Sequence, residues 1–238
     1  MEISKGAEAI DLALWFPKSR TLAITDFQLG YEEYMNNHGV MVPRINFEEI
    51  VKHLKQIFSE KKKIQRIIIN GDLKHEFGTI SEQEWSEAIK LLAFISANCT
   101  ELILIKGNHD TIIKPIADMK KIGVRDHYLL KEEKTLFIHG HKEPDEESLK
   151  GIARIVIGHE HPAVMISDGV KHEKYKCFLK GKYGGKELIV LPAFNFVSLG
   201  SDVTREQSLS PLIKNIGSFS VYAVEDKVYE MGKVNNLL

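Results

Sequence analysis

The sequence predicts an α/β fold, because short apolar runs alternate along the chain with segments whose apolar residues recur at helical spacing. The apolar runs 22–24 and 67–69 are followed by the helical-period segments 47–58 and 81–97. Further apolar runs occupy residues 102–105, 136–138 and 155–157. Continuous apolar runs of this length are typical of buried strands, so we expect a sheet covered by helices.

The segment that begins at Ser81 carries the clearest helix signal. Ser81 followed by Glu84 is a capping-box pattern, in which the two residues satisfy free backbone N–H groups at the start of a helix. The apolar residues that follow fall on one helical face: Trp85, Ala88, Ile89, Leu92 and Ile95. We therefore predict a helix that starts next to Ser81.

The last third of the chain has a different character. Segments 175–179, 187–191 and 219–224 have the composition of strands, and residues 225–227 fit the turn of a final hairpin. We expect a second, more antiparallel sheet there. These strands would offer an interface for a homodimer, although packing in the core explains their apolar residues equally well.

Size and charge limit the class of protein. A chain of 238 residues that is 43% hydrophobic can bury a core of ordinary size, and without repeats or linkers we expect one domain over residues 1–238. The formal net charge of -1 gives no overall basic surface, so a polyanionic substrate must be held locally. No apolar stretch suggests a signal peptide or a membrane span, and we expect a cytoplasmic protein.

Residues that bind metals follow five of the apolar runs directly. They lie in segments 25–28, 70–72, 106–110, 139–141 and 158–161. Open α/β sheets bind ligands beyond the carboxyl ends of their strands, so these segments are expected at one rim. Pairs two residues apart would point the same way if the extended backbone continued past each strand. These pairs are Asp26 with Gln28, His139 with His141, and His159 with His161.

Each of these pieces is weak alone, because Gly-Asp and Asn-His sequences are common in turns. Five strand ends that all carry carboxylate, amide or imidazole groups are hard to assemble by chance. Together they predict a metal site. Four histidines have no partner pattern, and we place them outside the site: His38, His53, His127 and His172.

The ordered motifs resemble a known family. Asp-x-(His), Gly-Asp, Gly-Asn-His-Asp, His-Gly-His and Gly-His-x-His, here running from Asp26 to His161, are similar to the signature of calcineurin-like metallophosphoesterases. Segments 29–32, 71–77, 107–110, 158–162 and 191–195 resemble, more narrowly, archaeal phosphoesterases related to the SbcD nuclease. The resemblance implies a four-layer α/β/β/α sandwich of two mixed sheets and metal-dependent hydrolysis of a phosphoester.

The resemblance also implies a site for two divalent ions, with Asp72 bridging them. Its ligands to one ion are Asp26, Gln28 and His161, and its ligands to the other are Asn108, His139 and His159. We expect Mn²⁺ first, while Mg²⁺, Ni²⁺, Zn²⁺ or Fe²⁺ would also fit. Water or hydroxide between the ions would attack phosphorus, since paired metals acidify water and offset charge during in-line displacement.

Two further histidines receive roles from the same resemblance. His109 would face the substrate and protonate the leaving group or stabilise the transition state. His75 stands where many members carry an aspartate that orients this histidine, which favours diesters over protein phosphates. The alternative for His75 is a loop histidine that caps its turn. Asp110 would cap a segment beginning at residue 111 or support the ligands from behind.

Gln28 departs from the family pattern, which usually has histidine at this position. An amide oxygen is a harder and weaker ligand than an imidazole nitrogen. This change would shift the site toward Mg²⁺ or Mn²⁺, leave it to fill only with substrate, or mark a binding or scaffold protein that lost catalysis. We favour the first two outcomes because the other ligand positions are intact.

The substrate itself is defined less sharply. Segment 31–44, with Arg44, and the segment from residue 194 to 202, with Asn195, are candidate substrate-binding walls. An exposed connection and core aromatic residues are the respective alternatives. Nucleotides and nucleic acids both fit the predicted chemistry, and the net charge mildly favours a small substrate.

Overall fold

The computed structural model describes residues 1–76, 81–110, 113–167, 169 and 171–237. The first of its two sheets has seven strands, which lie side by side in chain order. They are β1 Glu2–Ser4, β2 Ala7–Ile10, β3 Ala13–Phe16, β4 Thr21–Ile24, β5 Arg66–Asn70, β6 Glu101–Ile105 and β7 Val124–Arg125. Strands β1 to β4 pair antiparallel, whereas β4 to β7 pair parallel.

The second sheet has nine strands and is also mixed. They are β8 His127–Leu130, β9 Thr135–Ile138, β10 Arg154–Ile157, β11 Pro162–Ser167, β12 His172–Tyr183, β13 Lys186–Val190, β14 Ser201–Asp202, β15 Ser220–Val224 and β16 Val228–Lys233. Their order is β14-β11-β12-β13-β10-β9-β8, and β15 pairs with β12 and β16. Strands β9, β10 and β13 run parallel, so their carboxyl ends share one rim.

Four α-helices lie in the described residues: α1 Tyr31–Asn37, α2 Asn46–Glu60, α3 Glu82–Ser96 and α4 Lys114–Met119. The predicted capping box is confirmed, because the Ser81 hydroxyl accepts from Glu84 N and the Glu84 side chain accepts from Ser81 N. Helix α2 buries Ile50, Leu54 and Ile57, and α3 buries Ala88, Leu91, Leu92 and Ile95. Both helices therefore contribute one face to the core.

The two sheets pack face to face. Phe16 on β3 meets Phe137 on β9 edge to face, with ring centroids 5.8 Å apart. Phe137 belongs to the apolar cluster that also holds α2 and α3, whereas its neighbours Leu136 and Ile138 belong to a second cluster. That second cluster includes Val203, Leu212, Ile213 and Phe219. An irregular segment with a 3-10 turn, Ile216–Ser218, thus forms the layer on the second sheet.

The predicted α/β fold with two mixed sheets is confirmed. The predicted second sheet is present and contains β12, β13 and β15, but β9 and β10, which were expected at the rim of the first sheet, belong to it as well. The N-terminal strands β1 to β3 were not anticipated. Across the described residues, every helix is too short or too polar to cross a membrane.

Candidate metal centre

The carboxyl ends of the central parallel strands meet where the two sheets pack. Strands β4, β5 and β6 bring Asp26, Asp72 and Asn108 to this edge from the first sheet. Strands β9 and β10 bring the histidines from the second sheet. Asn70 at the end of β5 crosses the gap, because its side-chain amide donates to Ile138 O at 2.9 Å. The two rims are therefore linked directly beneath the site.

Several of these residues hold an unusual backbone conformation. The angle φ is positive at five predicted ligands: Asp26 (55°), Gln28 (45°), Asp72 (48°), His159 (66°) and His161 (47°). Non-glycine residues rarely adopt this region, which costs about 1–2 kcal/mol each. The expectation that the extended backbone continues past β4 and β10 is wrong. Sharp left-handed turns aim these side chains, and such strain is typical of functional sites.

The innermost group consists of Asp72, His139 and His159, whose ligand atoms lie within 4.8 Å of one another. His139 Nδ1 lies 3.0 Å from Asn70 O, and because a carbonyl only accepts, Nδ1 carries the hydrogen. His139 Nε2 then faces Asp72 Oδ2 at 3.2 Å and Asn108 Oδ1 at 3.0 Å. One nitrogen and two oxygens converge at this point.

A second group adjoins the first. His161 Nε2 lies 3.4 Å from Asp26 Oδ1, and the Gln28 amide lies 3.4 Å from the same nitrogen. The other oxygen of Asp26 accepts from His159 N at 3.0 Å. Gln28 is buried and keeps its amide at the site, so its oxygen would face this group if the amide were rotated by half a turn.

The electrostatics of both groups favour positive charge. Burial opposes a charge on His139, but its hydrogen bond with Asp72 and the charges of Asp26 and Asp72 raise its pKa to about 9. Burial would raise the pKa of Asp26, but His161, His139 and Thr25 lower it to about 2. Asp26 is thus ionised at neutral pH, and the buried carboxylates favour a cation beside them.

Three observations show that these residues fit divalent cations. Asp26 Oδ1 is buried and has no hydrogen-bond partner among the described residues. A Cβ atom on Gly107 would lie 1.9 Å from Asp72 Oδ1, and one on Gly71 would lie 2.2 Å from His139 Nδ1, so glycine permits the close approach. Carboxylate, amide and imidazole donors also suit a divalent first-row metal.

His109 lies at the edge of the same cluster. Its Nδ1 hydrogen-bonds the His75 carbonyl oxygen, so Nδ1 is the donor and Nε2 is the atom turned toward Asp72 Oδ2, at 3.9 Å. The His109 N–H donates to Asp72 Oδ1 at 2.9 Å. Backbone and ring of His109 are therefore both tied to Asp72.

His75 supports His109 through its backbone and its ring face. The two rings stack with centroids 5.5 Å apart, and Tyr31 and Tyr34 of α1 contact the His75 ring at 4.7 and 4.8 Å. Burial, followed by the charge of His109, lowers the pKa of His75 to about 4. His75 is thus a neutral, packed histidine at neutral pH.

Glu84 is a residue that sequence reasoning recognised only as part of a helix cap. Its Oε1 accepts from His75 N at 3.0 Å and from Glu76 N at 2.9 Å, while its Oε2 accepts from Ser81 N at 3.0 Å. The side chain is fully buried. Glu84 therefore fixes the peptide whose carbonyl orients His109.

The predicted substrate-binding residues Asn195 and Arg44 belong to neither ligand group. Asn195 is buried, and its side chain bonds Phe27 O, Val197 N and Ser198 N at 3.4, 3.0 and 2.8 Å. It stabilises its own loop. Arg44 is exposed beyond α1.

The Asp110 carboxylate supports the segments that carry Asp72 and Asn108. Its carboxylate accepts from Leu73 N at 3.1 Å and Gly107 N at 3.0 Å. Residues 111–112, where the predicted capped segment begins, lie outside the described residues. The first described helical position there is Lys114.

A cavity of about 380 Å³ opens beside Asn108 and His139. Its wall includes Lys106, His141, Lys142 and also His127, which the sequence analysis placed outside the site. Burial and the charges of His139 and Lys142 lower the pKa of His141 to about 4. The predicted walls at segments 31–44 and 194–202 do not line this cavity. Only the packing of β8 beside β9 brings His127 here, and no local sequence signal marks it.

The fold and the converging donors define an α/β protein with a candidate metal centre at the rims of two packed sheets. The profile of the calcineurin-like phosphoesterase family matches residues 19–190, and the chain belongs to this family. The narrower resemblance to the archaeal SbcD-related branch stays a prediction. Curated protein sequences include no match to the chain.

Several solved structures are similar to this chain at low sequence identity, and the first one named here shares its fold. The nuclease MPE of Pseudomonas putida is 19% identical, with a TM-score of 0.66 over 93% of this chain and 92% of that chain. Zinc-bound Vps29 of Entamoeba histolytica is 17% identical, with a TM-score of 0.39 over 88% of this chain and 90% of that one. Vacuolar protein sorting 29 of Cryptosporidium parvum is 14% identical, with a TM-score of 0.41 over 90% and 97%.

Proposed function

We propose that this protein hydrolyses phosphoesters, and phosphodiesters in preference to phosphoproteins, with the help of two divalent cations. The observation that carries the proposal is the convergence of Asp72, His139 and His159 within 4.8 Å, beside Asp26 Oδ1, which is buried without a hydrogen bond and faces His161 Nε2 at 3.4 Å. Family membership supports the reaction class. The shared fold with a nuclease supports a diester substrate.

Each rim contributes to both cation positions in this proposal. Asp26, Gln28 and His161 would hold one ion, whereas Asn108, His139 and His159 would hold the other, with Asp72 shared between them. Mn²⁺ is the cation we expect first, because the donors mix hard oxygens with imidazole nitrogens. Bound divalent cations would acidify water, orient the phosphoryl group and offset its developing charge.

The side chains around the ligands have separate tasks. Asn70 O accepts a hydrogen bond from His139 Nδ1 and so orients the ring. This leaves Nε2 as the atom that would bind a cation. The His75 carbonyl fixes the His109 ring in the same way. His109 Nε2 then faces the site, and a ring protonated on both nitrogens would give the Nε2 proton to the leaving-group oxygen while it keeps its Nδ1–H bond to His75 O.

The proposal is tested by hydrolysis of bis-p-nitrophenyl phosphate and p-nitrophenyl phosphate by metal-stripped protein, titrated separately with Mn²⁺, Mg²⁺, Ni²⁺ and Zn²⁺. We expect metal-dependent turnover, a diester preference, and a loss of about 10²- to 10⁴-fold in His109→Ala. His172→Ala, which changes an exposed histidine, is the matched control. A folded protein that binds metal but turns over neither ester would contradict the proposal and indicate a scaffold protein.

A further inference from the structure

The cavity beside the candidate metal centre has a chemical character of its own. Its wall comes from three places: Lys106 after β6, His127 at the start of β8, and the segment from Gly140 to Asp145 after β9. It opens at Asn108 and His139, so a substrate held by the proposed cations would extend into it. Its volume of about 380 Å³ falls in the usual range for a small-molecule site.

The charges on the cavity wall are not equally available. Glu143 Oε1 is paired with Lys214 Nζ at 2.8 Å, and Asp145 accepts from Ser148 N and Oγ at 2.7 and 3.0 Å. Lys106 and Lys142, by contrast, form no ion pair with a carboxylate in the described part of the chain. Asp126 is the other carboxylate on the wall.

The two lysines are therefore the groups best placed to receive an anion. A lysine ammonium is a compact point charge that binds phosphate without a fixed geometry. The imidazoles of His127 and His141, on the same wall, offer N–H donors. For a chain whose net charge is only -1, two lysines beside the proposed centre offer a local way to hold a polyanion.

We propose that this cavity binds a second phosphate of the substrate, beyond the one that is cleaved, through Lys106 and Lys142. The inference rests on the proposed phosphoesterase function and names its substrate class. That second phosphate belongs either to the next nucleotide of a strand or to the end of a nucleoside polyphosphate. A simple diester without it would leave the cavity unused.

The first measurement is equilibrium binding without turnover. Fluorescein-labelled oligothymidylate is titrated with the metal-free protein, and anisotropy is recorded over a series of salt concentrations. We expect Lys142→Ala and Lys106→Ala each to weaken binding, and to reduce the slope of log K against log salt by about 1. Lys142→Glu should weaken it further, whereas Lys55→Ala, a lysine exposed on α2 away from the cavity, should bind as the wild type does.

The second measurement identifies the source of the phosphate. With Mn²⁺ present, kcat/KM is compared for the dinucleotide TpT and its terminally phosphorylated forms, and for a nucleoside triphosphate against the monophosphate. The lysine variants should lower kcat/KM for the extended substrate, relative to kcat/KM for the unextended one, by about tenfold. Lys55→Ala should leave this ratio unchanged. If the wild-type kcat/KM ratio is higher for the dinucleotide series, the second phosphate belongs to a strand. If it is higher for the nucleoside phosphates, the second phosphate belongs to a nucleoside polyphosphate.

Failure of this inference is distinguishable from failure of the proposed function. Unchanged oligonucleotide affinity and salt slope in both lysine variants would overturn the second-phosphate site, even if simple diesters are hydrolysed. Weakened binding in a protein without turnover would retain the site and contradict only the phosphoesterase function.

Discussion

The rims of the two sheets supply different donor atoms to the candidate metal centre. In the proposed centre, the first sheet would contribute oxygen donors from Asp26, Gln28, Asp72 and Asn108, and the second would contribute nitrogen donors from His139, His159 and His161. Each rim also orients the other. His159 N, from the second sheet, holds Asp26, while Asn70 O, from the first, holds His139. The site therefore exists only when the sheets are packed together.

The largest effect is expected from the side chain that both cation positions share. Asp72→Asn removes the charge that faces His139 Nε2 at 3.2 Å. We expect turnover of bis-p-nitrophenyl phosphate to fall by about 10³-fold, with weaker Mn²⁺ binding by isothermal titration calorimetry. Asp226→Asn, in the exposed hairpin turn, is the control. Retained activity in Asp72→Asn would show that Asp72 is not the ligand that both cations need.

The second prediction concerns Gly107, which allows the segment after β6 to pack directly against Asp72. Gly107→Ala would place Cβ 1.9 Å from Asp72 Oδ1 and 2.4 Å from Asp72 N, which forces the backbone to move. We expect a loss of about 1–3 kcal/mol in the free energy of unfolding, measured with urea, together with a loss of activity. Gly123→Ala meets nothing within 4 Å and should be close to neutral. Equal behaviour of the two variants would contradict the close packing.

A third prediction separates orientation of His109 from the stability of α3. Glu84→Gln leaves one oxygen acceptor for the N–H groups of His75, Glu76 and Ser81 and sets an amide donor against at least one of them. This should disturb the His75 peptide, so kcat should fall between about 10-fold and 100-fold. Ser81→Ala removes the other half of the capping box at a cost of about 1 kcal/mol but leaves the contacts of Glu84 with His75 and Glu76. It should retain kcat.

The orientation of the His109 ring gives a readout that stability alone does not change. The measurement is the ¹⁵N NMR spectrum of the His109 ring in labelled, metal-free protein at one pH. The ring hydrogen should lie on Nδ1 in the wild type and in Ser81→Ala, whereas Glu84→Gln should show a mixture of the Nδ1–H and Nε2–H tautomers. An unchanged ring spectrum in Glu84→Gln would mean that Glu84 only caps the helix.

The smallest effect is the pH dependence of stability without metal. The pKa of His75 is lowered from 6.5 to about 4, mainly by burial, so the unfolded chain binds that proton first and stability falls as pH drops through this window. The pKa of His139 is raised from 6.5 to about 9, so the folded chain keeps its proton longer and stability falls as pH rises through that window.

The metal-free protein should therefore be most stable near pH 6.5, as far as these two groups decide it. Urea unfolding at a series of pH values checks this. His75→Gln should flatten the acid side, and His172→Gln should not. Stability that increases steadily up to pH 9 would contradict the assignment of His139.

Local sequence patterns predicted many of the helices and strands but not how the two sheets pack together. The capping box at Ser81 and the apolar runs located α3 and the central strands, because burial on both faces leaves a direct trace in the sequence. Strands β1 to β3 were missed, although Phe16 among them forms the contact with Phe137 between the sheets. That contact depends on residues far apart in the chain.

The site was predicted in type more fully than in geometry. Motif spacing predicted one rim for Asp26 and His159, whereas the structure places them on the facing rims of two sheets. It also could not show that both turn through a left-handed backbone. Nor could it show that Glu84, chosen as a helix cap, also holds the His75 peptide. The positions of His127 and Lys142 on one cavity wall follow from the pairing of β8 with β9, which no motif encodes.

The central claim is that residues from the rims of both sheets hold two cations. Its most direct test counts the bound cations and follows turnover in the same samples. Metal-stripped wild type, His161→Ala and His139→Ala are loaded with Mn²⁺, and bound metal is measured together with bis-p-nitrophenyl phosphate hydrolysis. We expect two ions and turnover in the wild type, and one ion with little turnover in each variant. Equal metal content in all three proteins, or full activity in either variant, would contradict it.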